Sequence, residues 1–564
     1  MNTQPCIECV PNFSEGQNPE IIKRITDAIE SVSGIQLLNV DPGKATNRTV
    51  VTFVGHPEKV IEAAFRAIKT AGQLIDMQQH KGEHPRMGAT DVCPLIPISG
   101  ISMLETVQYA NRLAQRVGEE LNIPVYLYEE AQANPLRKNL AHIRSGEYEG
   151  FFKKIKDPAW KPDFGPTEMD LTRGATVIGA RNFLIAYNVN LNTTSTRRAN
   201  AVAFDVREAG RVLREGNRPN GKVLLNADGT PQVLPGSLKH VKAIGWFIDE
   251  YQIAQISMNL TNILETPLHV VFDEVCEKAR IRGLRVTGSE LVGLVPLQTM
   301  LEAGRYFLKK QQRSIGVSEA ELIKIAVKTL GLDELAPFNP SERIIEYNIA
   351  QKSVPRLTAL SLNAFSELTA SESPAPGGGS VAAYIGALGA SLAAMVANLS
   401  AHKKGWDARW EFFSDWAVQA HSLQQQLCTL VDADTQAFNS IITAMQLPKA
   451  SSEEQQLRKA AIEQATLEAI RVPYQVMQLS FAAFESIAAM AREGNPNSAS
   501  DAGVAALAAR AAIRGAWLNV KINAQGYAQH PEVMQMLEAA ATIEQKSQDI
   551  ETEILQCVES HIKL

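Results

Sequence analysis

His80-Lys81-Gly82-Glu83-His84-Pro85-Arg86-Met87-Gly88-Ala89-Thr90-Asp91 runs directly into the apolar stretch Val92 to Ile98 and follows the helix-period segment Pro57 to Asp76. Gly82, Pro85 and Gly88 exclude a regular helix or a central strand through the polar part. The reading is helix, loop, strand, which is the repeating element of an α/β architecture. The loop carries two imidazoles, two cations and two carboxylates. Titratable residues on a loop that feeds a buried strand are how active sites are usually mounted. A solvated connector is the alternative, but connectors seldom combine so many different titratable groups with turn residues.

Working outward, the mixed pattern continues to about Tyr347. Ile35–Val40, Thr49–Val54, Val125–Tyr128 and Leu184–Val189 read as short strands, and Pro19–Ser31 joins Pro57–Asp76 as a helix. A second α/β block starts near Phe183, with strands at Phe183–Asn190 and Ile253–Leu260 and a long helix after Thr266. Arg214–Gly236 holds two turn signals, Pro219-Asn220-Gly221 and Asp228-Gly229, and reads as a hairpin or a mobile loop. Pro337–Pro340 and Gln351–Pro355 resemble a hinge. Beyond Leu360, Ala, Leu, Gln and Glu dominate. Ala382–Leu399, Ala408–Met445, Ser452–Ala491 and Ser500–Ile522 all carry helical periodicity, and Pro473 is expected to start or kink a helix. The fold class is multi-domain. Two α/β subdomains of α+β sandwich type, residues 1–182 and 183–350, are followed by a linker at 351–361 and an all-α helical domain at 362–564.

A chain of 564 residues is too long for one core. A formal charge of −6 argues against a nucleic-acid partner, which would call for a basic stripe. The N-terminus lacks the basic and apolar regions of a signal peptide, and no apolar run reaches membrane-spanning length. Six scattered Cys do not form a disulfide framework, so a reducing, cytoplasmic location is expected. Cys6-Ile7-Glu8-Cys9 fits CxxC without a second pair and reads as two strand residues.

Two features of the helical domain bear on chemistry. Pro374-Ala375-Pro376-Gly377-Gly378-Gly379-Ser380 precedes a small-residue helix. Its glycines allow close backbone approach, and a helix N-terminus suits a phosphate or carboxylate. No Lys-Ser/Thr follows, so it is not a Walker A loop; a flexible linker with Ser380 as N-cap is the alternative. In Val431-Asp432-Ala433-Asp434, residue 434 falls on the stripe Leu423, Leu427, Val431, Phe438, Ile441, whereas Asp432 points away. A carboxylate on a buried face needs a partner or a raised pKa.

Several stretches together resemble the bifunctional formimidoyltransferase–cyclodeaminase family along nearly the whole chain. They are Glu8-Cys-Val-Pro-Asn-Phe-Ser-Glu-Gly16, Thr46-Asn-Arg-Thr-Val50, His80 to Ala89, Asp163-Phe-Gly-Pro166, Gly174-Ala-Thr176, Gly288 to Pro296, Glu342 to Tyr347, Ala375 to Ala383 and Val431 to Asp434. The resemblance implies transfer of the formimino group from N-formimino-L-glutamate to tetrahydrofolate. Cyclisation to 5,10-methenyltetrahydrofolate with loss of ammonia would follow, as part of histidine degradation and one-carbon metabolism.

It also implies His84 as the catalytic base and Asp434 as the cyclodeaminase acid–base group. A folate-binding segment would run from Gly165 and Pro166 to Gly174, with Ala175 and Thr176 beside it. Asn12, Asp41, Asn47, Arg48, His80, Lys81, Glu83 and Arg86 would contribute to substrate binding, with either Asp41 or Glu83 as the carboxylate to support His84. Gly377, Gly378, Gly379 and Ser380 would hold the pterin or a folate carboxylate. Tetrahydrofolate, singly or polyglutamylated, is the expected co-substrate. No metal is expected, a zinc pair of His80 and His84 being disfavoured by Gly82. The partners are these small molecules, without nucleic acid or membrane, in a homo-oligomer. The rival readings are a folate-binding assembly protein without activity and a metal-dependent formiminoglutamate hydrolase.

Overall fold

The computed structural model describes residues 5–44, 46–82, 85–217, 220–350 and 356–562. The hinge expected at 351–355 lies outside them, as do Pro219 and the loop residues Glu83 and His84. The chain folds into two compact units, residues 1–300 with 327–352, and residues 301–326 with 353–564.

In the first unit the strands are β1 (Cys6–Cys9), β2 (Asn12–Phe13), β3 (Ile35–Gly43), β4 (Arg48–Gly55), β5 (Thr90–Ser99), β6 (Val125–Glu129) and β7 (Thr176–Ala180). They form one mixed sheet in the order β1-β4-β2-β5-β7-β6, with β3 on β4. The pairs β5–β7 and β6–β7 are parallel and the others antiparallel. Helices α1 (Pro19–Glu30), α2 (Pro57–Leu74) and α3 (Met103–Glu120) share one core with this sheet. Their ends are set by local chemistry. Asn18 caps α1 with Pro19 in its first turn, and Ser102 and Glu105 form a capping box on α3. Strand alternation then sorts the residues. Ile7, Cys9, Phe13, Val51 and Phe53 enter the core under the helices, and Glu8, Val10, Asn12, Val50 and Thr52 line a cavity on the opposite face. Cys6 and Cys9 both sit in β1, and Cys9 Sγ lies 3.4 Å from Cys93 Sγ of β5.

Helices α4 (Leu140–Arg144) and α5 (Glu147–Lys154) follow β6. The second sheet is antiparallel, in the order β11-β12-β8-β13, built from β8 (Ile185–Leu191), β11 (Val241–Ile248), β12 (Ile253–Leu260) and β13 (Val286–Val292). Tyr187, Val189, Leu191, Ile256 and Leu260 are fully buried, as are Val202 of α6 (Thr196–Val206) and Val275 of α7 (Leu268–Ile281). The segment 214–236 is the hairpin of the two alternatives. Strands β9 (Arg211–Val212) and β10 (Val233–Leu234) pair at its base, and Asp228 accepts from Thr230 N at 2.9 Å across the Asp-Gly turn.

Helices α8 (Leu297–Lys310), α9 (Glu319–Leu330), α10 (Pro340–Arg343) and α11 (Ile345–Ala350) complete the mixed half of the sequence. Residues 301–326 nevertheless belong to the helical unit. Ile315 N donates to Ser414 Oγ at 3.1 Å, and Asn398 Nδ2 donates to Gly316 O at 2.8 Å. A reading by linear order assigns them to 183–350, and only packing moves them.

The rest of the helical unit comprises α12 (Leu362–Thr369), α13 (Gly378–Ala401), α14 (Trp410–Met445), α15 (Ser452–Glu493), α16 (Ala499–Asn523) and α17 (Pro531–His561). The core is unusually rich in Ala, notably Ala383, Ala387, Ala390, Ala505 and Ala509, so helix backbones can approach closely. Helix α13 is long and apolar enough to cross a membrane by composition. However, 61 % of its most apolar stretch is buried inside the unit, which makes it a core helix. Helix α17 went unread in the sequence because its buried positions, Val533, Met536, Ala540, Ile554 and Val558, are thinly spread among Gln and Glu.

Of the two expectations for Pro473 the helix start is excluded, because it lies buried inside the 42-residue α15. Proline removes the amide that would bond the carbonyl four residues earlier. Here that carbonyl, Ala469 O, accepts from Asn523 Nδ2 of α16 at 2.7 Å. A side chain of the next helix replaces the missing donor. We expect Asn523→Ala to cost about 1–3 kcal/mol, the penalty of a buried carbonyl left without its bond. In a Pro473→Ala background the restored amide should remove most of that cost. Chemical denaturation of the four proteins as a double-mutant cycle checks this, and additive effects would refute the compensation.

Candidate active sites

In the first unit a cavity of about 460 Å3 lies between the two sheets, a size suited to a small-molecule ligand. Its floor follows the strand register. Glu8 faces Val54 and Ile96, Asn12 faces Val50 and Val92, Asp41 faces Val50, and Arg48 opens β4. The second sheet contributes Ala186, Lys242, Asn259 and Val292.

Asn12, Asp41 and Arg48, expected from sequence, all line this cavity. Asn47 does not; it is the strut between the cavity and the His80 loop. With a positive φ of 46°, it accepts from Gly16 N at 3.0 Å and donates through Nδ2 to Lys81 O at 2.8 Å. Its own carbonyl accepts from His80 Nε2 at 2.9 Å. Arg86 Nε donates to His80 Nδ1 at 3.3 Å, so the imidazole proton sits on Nε2 and both ring nitrogens are engaged. His80 thus braces the loop through both ring nitrogens. Arg86 is engaged as well, donating to Glu149 at 2.7 Å, to Glu147 at 3.0 Å and to the His80 carbonyl. Lys81 is exposed. Glu83 and His84, the core of the expected site, lie between these anchors but outside the described residues.

The loop is pinned at its other end by Asp91. This carboxylate is 1 % exposed, accepts from Met87 N at 3.0 Å and pairs with Arg144. Burial pushes its pKa up, and Arg144 opposes that rise. Arg144 and Arg48 line the same end of the cavity. At the other end stand Glu8, Tyr128, Glu129, Arg181 and Lys242. Burial pushes the Glu8 carboxyl up to about 7, against the pull of Arg181. It also raises Glu129, which Lys242 and Arg181 draw down. Apart from Asp41 and Arg48, none of the charged residues lining the cavity was singled out from sequence. Period-two alternation in β1 was the signal available for Glu8.

The structure does not bring the expected folate segment to this cavity. Gly165 has φ +83° and stacks on Ile123 and Gly118, beside half-buried Pro166. Gly174, with φ +72°, lies so close to Met87 O that a Cβ would stand 2.3 Å from it. Ala175 N donates to Met87 O at 3.1 Å and the Thr176 hydroxyl to Thr90 O. Between them Asp170 gathers Thr172 and Arg173. The segment buttresses the loop at 87–90.

In the helical unit, Gly377 caps α13 and Gly378, Gly379 and Ser380 form its first turn. Asp434 of α14 lies against that turn. Ser380 Oγ is 3.0 Å from Asp434 Oδ2, 2.9 Å from Val431 O and 3.2 Å from Thr435 Oγ1. A Cβ on Gly379 would stand 2.0 Å from Asp434 Oδ1, so only glycine admits the carboxylate. Burial raises the Asp434 pKa, and the Ser380 hydroxyl and backbone N–H partly offset the rise. Asn519 of α16 reaches the same turn, beside Gly378, and was not anticipated. Asp432 points elsewhere, as the helix phase predicts. It is nonetheless occupied, accepting from Leu357 N at 2.6 Å and so tying the segment before α12 to α14.

A mixed sheet and an antiparallel sheet around a cavity lined with several charged side chains, in one chain with a helical unit that holds a desolvated carboxylate at a helix start, fit a two-site enzyme acting on small charged molecules. Comparison with known proteins identifies which. The model of the formiminotransferase domain, N-terminal subdomain, matches residues 6–181; that of the formiminotransferase domain matches 186–350; and that of formiminotransferase-cyclodeaminase matches 361–542. Formimidoyltransferase-cyclodeaminase of Gallus gallus is 45 % identical over 518 residues, covering 92 % of each chain, and that of Dictyostelium discoideum is 43 % identical over 519 residues with the same coverage. Glutamate formimidoyltransferase of Thermoplasma acidophilum is 42 % identical over 305 residues, 54 % of this chain and 92 % of that protein. The chain belongs to the formimidoyltransferase-cyclodeaminase family.

The raised Asp434 pKa has a consequence for stability. The folded state holds this proton more tightly than the unfolded state does. The cost of the buried charge is therefore absent below the ordinary carboxylate range and complete above the raised pKa. Asp434→Asn should melt a few degrees higher than the parent at neutral pH, with the gap closing as pH falls toward 4. Thermal melts across this range check it; a pH-independent gap would point to packing alone.

Proposed function

We propose that the first unit transfers the formimino group of N-formimino-L-glutamate to tetrahydrofolate with His84 as general base. In the same reading, the helical unit cyclises the product with Asp434 as proton carrier. The first observation in support is the bracing of the loop on both sides of His84, by Asn47, Arg86 and Asp91, beside a cavity lined with Arg48 and Arg144. In transfer, N5 of the folate forms a bond to the formimino carbon and loses its proton to the imidazole. The bond from that carbon to the glutamate nitrogen breaks, and the nitrogen takes the proton back. A neutral imidazole suits both halves of this step. Asp41, in the cavity, and Glu83 are the carboxylates suited to the positive formimino nitrogen of the intermediate. Arg48 and Arg144 suit the carboxylates of the amino acid substrate.

For cyclisation, N10 attacks the formimino carbon, and the proton it gives up must reach the departing ammonia. A carboxylate with a raised pKa, held against Gly379 and Ser380, is a suitable carrier. In this reading the Gly377–Gly379 turn and Asn519 meet the ligand. Tetrahydrofolate, singly or polyglutamylated, serves as co-substrate, and the six unbridged cysteines support a reducing cytoplasmic setting.

His84→Ala should lower transfer by roughly a hundredfold to ten-thousandfold while sparing cyclisation of supplied 5-formiminotetrahydrofolate. Asp434→Asn should do the reverse and let that intermediate accumulate. Methenyl absorbance and ammonia release read both steps. Ammonia from formiminoglutamate without tetrahydrofolate would instead reveal a hydrolase, and no turnover in the parent would favour an assembly protein.

Self-association is also proposed. Val504, Leu507, Leu518 and Ile522 form one exposed apolar face of α16 at helical spacing. Light scattering should report an oligomer that Leu507→Glu dissociates; an unchanged mass would remove this face from the interface.

A further inference from the structure

The Ser380 hydroxyl has one proton and three neighbours in reach of it. Its Oγ stands 2.9 Å from Val431 O, 3.0 Å from Asp434 Oδ2 and 3.2 Å from Thr435 Oγ1. A hydroxyl donates once and accepts twice, and a backbone carbonyl only accepts. The side chain is 0 % exposed, so its hydrogen bonding is confined to these neighbours.

Counting protons gives two arrangements, one for each state of Asp434. With Asp434 neutral, the carboxylic acid donates to Ser380 Oγ, and Ser380 donates to Val431 O. With Asp434 ionised, the Ser380 hydroxyl turns and donates to Oδ2. Val431 O then keeps the bond that α14 itself supplies, from the amide of Thr435 four residues on. In both states Ser380 Oγ has a lone pair for the half-buried Thr435 hydroxyl. No buried polar atom loses its last partner as the proton moves. The other donor at Asp434, the Ser380 N–H, is held by the backbone of α13 and cannot turn.

Cyclisation asks this carboxylate to change state twice in each turnover. It takes the proton that N10 loses as the new bond to carbon forms, and yields it to the nitrogen that leaves as ammonia. Asp434 lies so close to Gly379 that it cannot swing to a new partner for each state. The partner must turn instead. We propose that Ser380 is a positioning residue for cyclisation, its hydroxyl turning between Val431 O and Asp434 Oδ2 so that Asp434 keeps one place while it gains and loses the proton. This role differs from the ligand contact expected of Ser380, and it rests on the cyclodeaminase reading above.

The test uses the full chain and its Ser380→Ala, Ser380→Thr and Asp434→Asn variants. Ammonia release from supplied 5-formiminotetrahydrofolate is followed against pH, above the uncatalysed rate. In Ser380→Ala the carboxylate loses a charge-assisted donor and holds its proton more tightly. The limb of the profile set by Asp434 should move up by about one pH unit, with the KM for 5-formiminotetrahydrofolate little changed. Ser380→Thr keeps the hydroxyl and should return the limb toward the parent position. Thermal melts give a readout without turnover. The cost of the buried charge is complete only above the raised pKa. The gap between Ser380→Ala and its Asp434→Asn double variant should therefore keep widening to a higher pH than the gap between the parent and Asp434→Asn. A raised KM with an unmoved limb would make Ser380 a ligand contact. Gaps with the same pH course would show that its hydroxyl does not answer to Asp434. Either result overturns the proposal. Ordinary cyclisation by Asp434→Asn would overturn the cyclodeaminase role of Asp434 itself, and this inference with it.

Discussion

The two-residue alternation of β1, β2, β4 and β5 is the constraint on which the first unit depends. Both faces of this sheet are covered, one by helices and one by the cavity, so each strand residue has an assigned side. Ile7, Cys9, Phe13, Val51 and Phe53 commit the sheet to α1, α2 and α3. The intervening Glu8, Val10, Asn12, Val50 and Thr52 are thereby delivered to the cavity side. A slip of one residue would bury Glu8 under the helices and expose Phe13 to the cavity. Apolar burial sets the register, and the register places the charges.

Those charges are then held by specific bonds rather than by proximity. Asp91 is the clearest case, a buried carboxylate that joins the loop backbone to Arg144 and so couples loop position to the charge of the cavity. Removing either partner would leave an uncompensated buried charge. Asn47 does the corresponding work at the start of the loop with neutral bonds, which are weaker singly but converge on one side chain. The helical unit solves a similar problem with a helix end. Asp434 is desolvated, yet the first turn of α13 directs a hydroxyl and a backbone N–H at it, and Gly379 leaves it room. Its pKa stays raised because the donors offset only part of the burial.

Much of this was legible before any tertiary structure. The loop at 80–91, the Gly-rich start of α13 and the helix phase that separates Asp434 from Asp432 follow from local patterns, because turns, caps and a 3.6-residue period act over a few residues. The hydrogen-bond partners of His80 and Arg86 could not be read in the same way. As residue types they look like ligand-binding groups, and only the positions of Asn47, Glu147 and Glu149 show that their hydrogen-bonding capacity is already taken. Pro473 is similar: its local rule is correct, and only the tertiary structure shows that Asn523 of another helix supplies the missing donor.

The amino-acid sequence by itself determined the succession of mixed and helical halves, the short motifs and the faces of single helices and strands. These depend on backbone sterics and on periodic burial. Tertiary structure alone decided that residues 301–326 pack with the helical unit, that 165–176 buttresses a loop, and that Arg181 and Lys242 share one end of a cavity. Glu8 and Lys242 are more than two hundred positions apart in the chain. Charges act through space, and only closure of two sheets around a common cavity brings such residues within reach of one another.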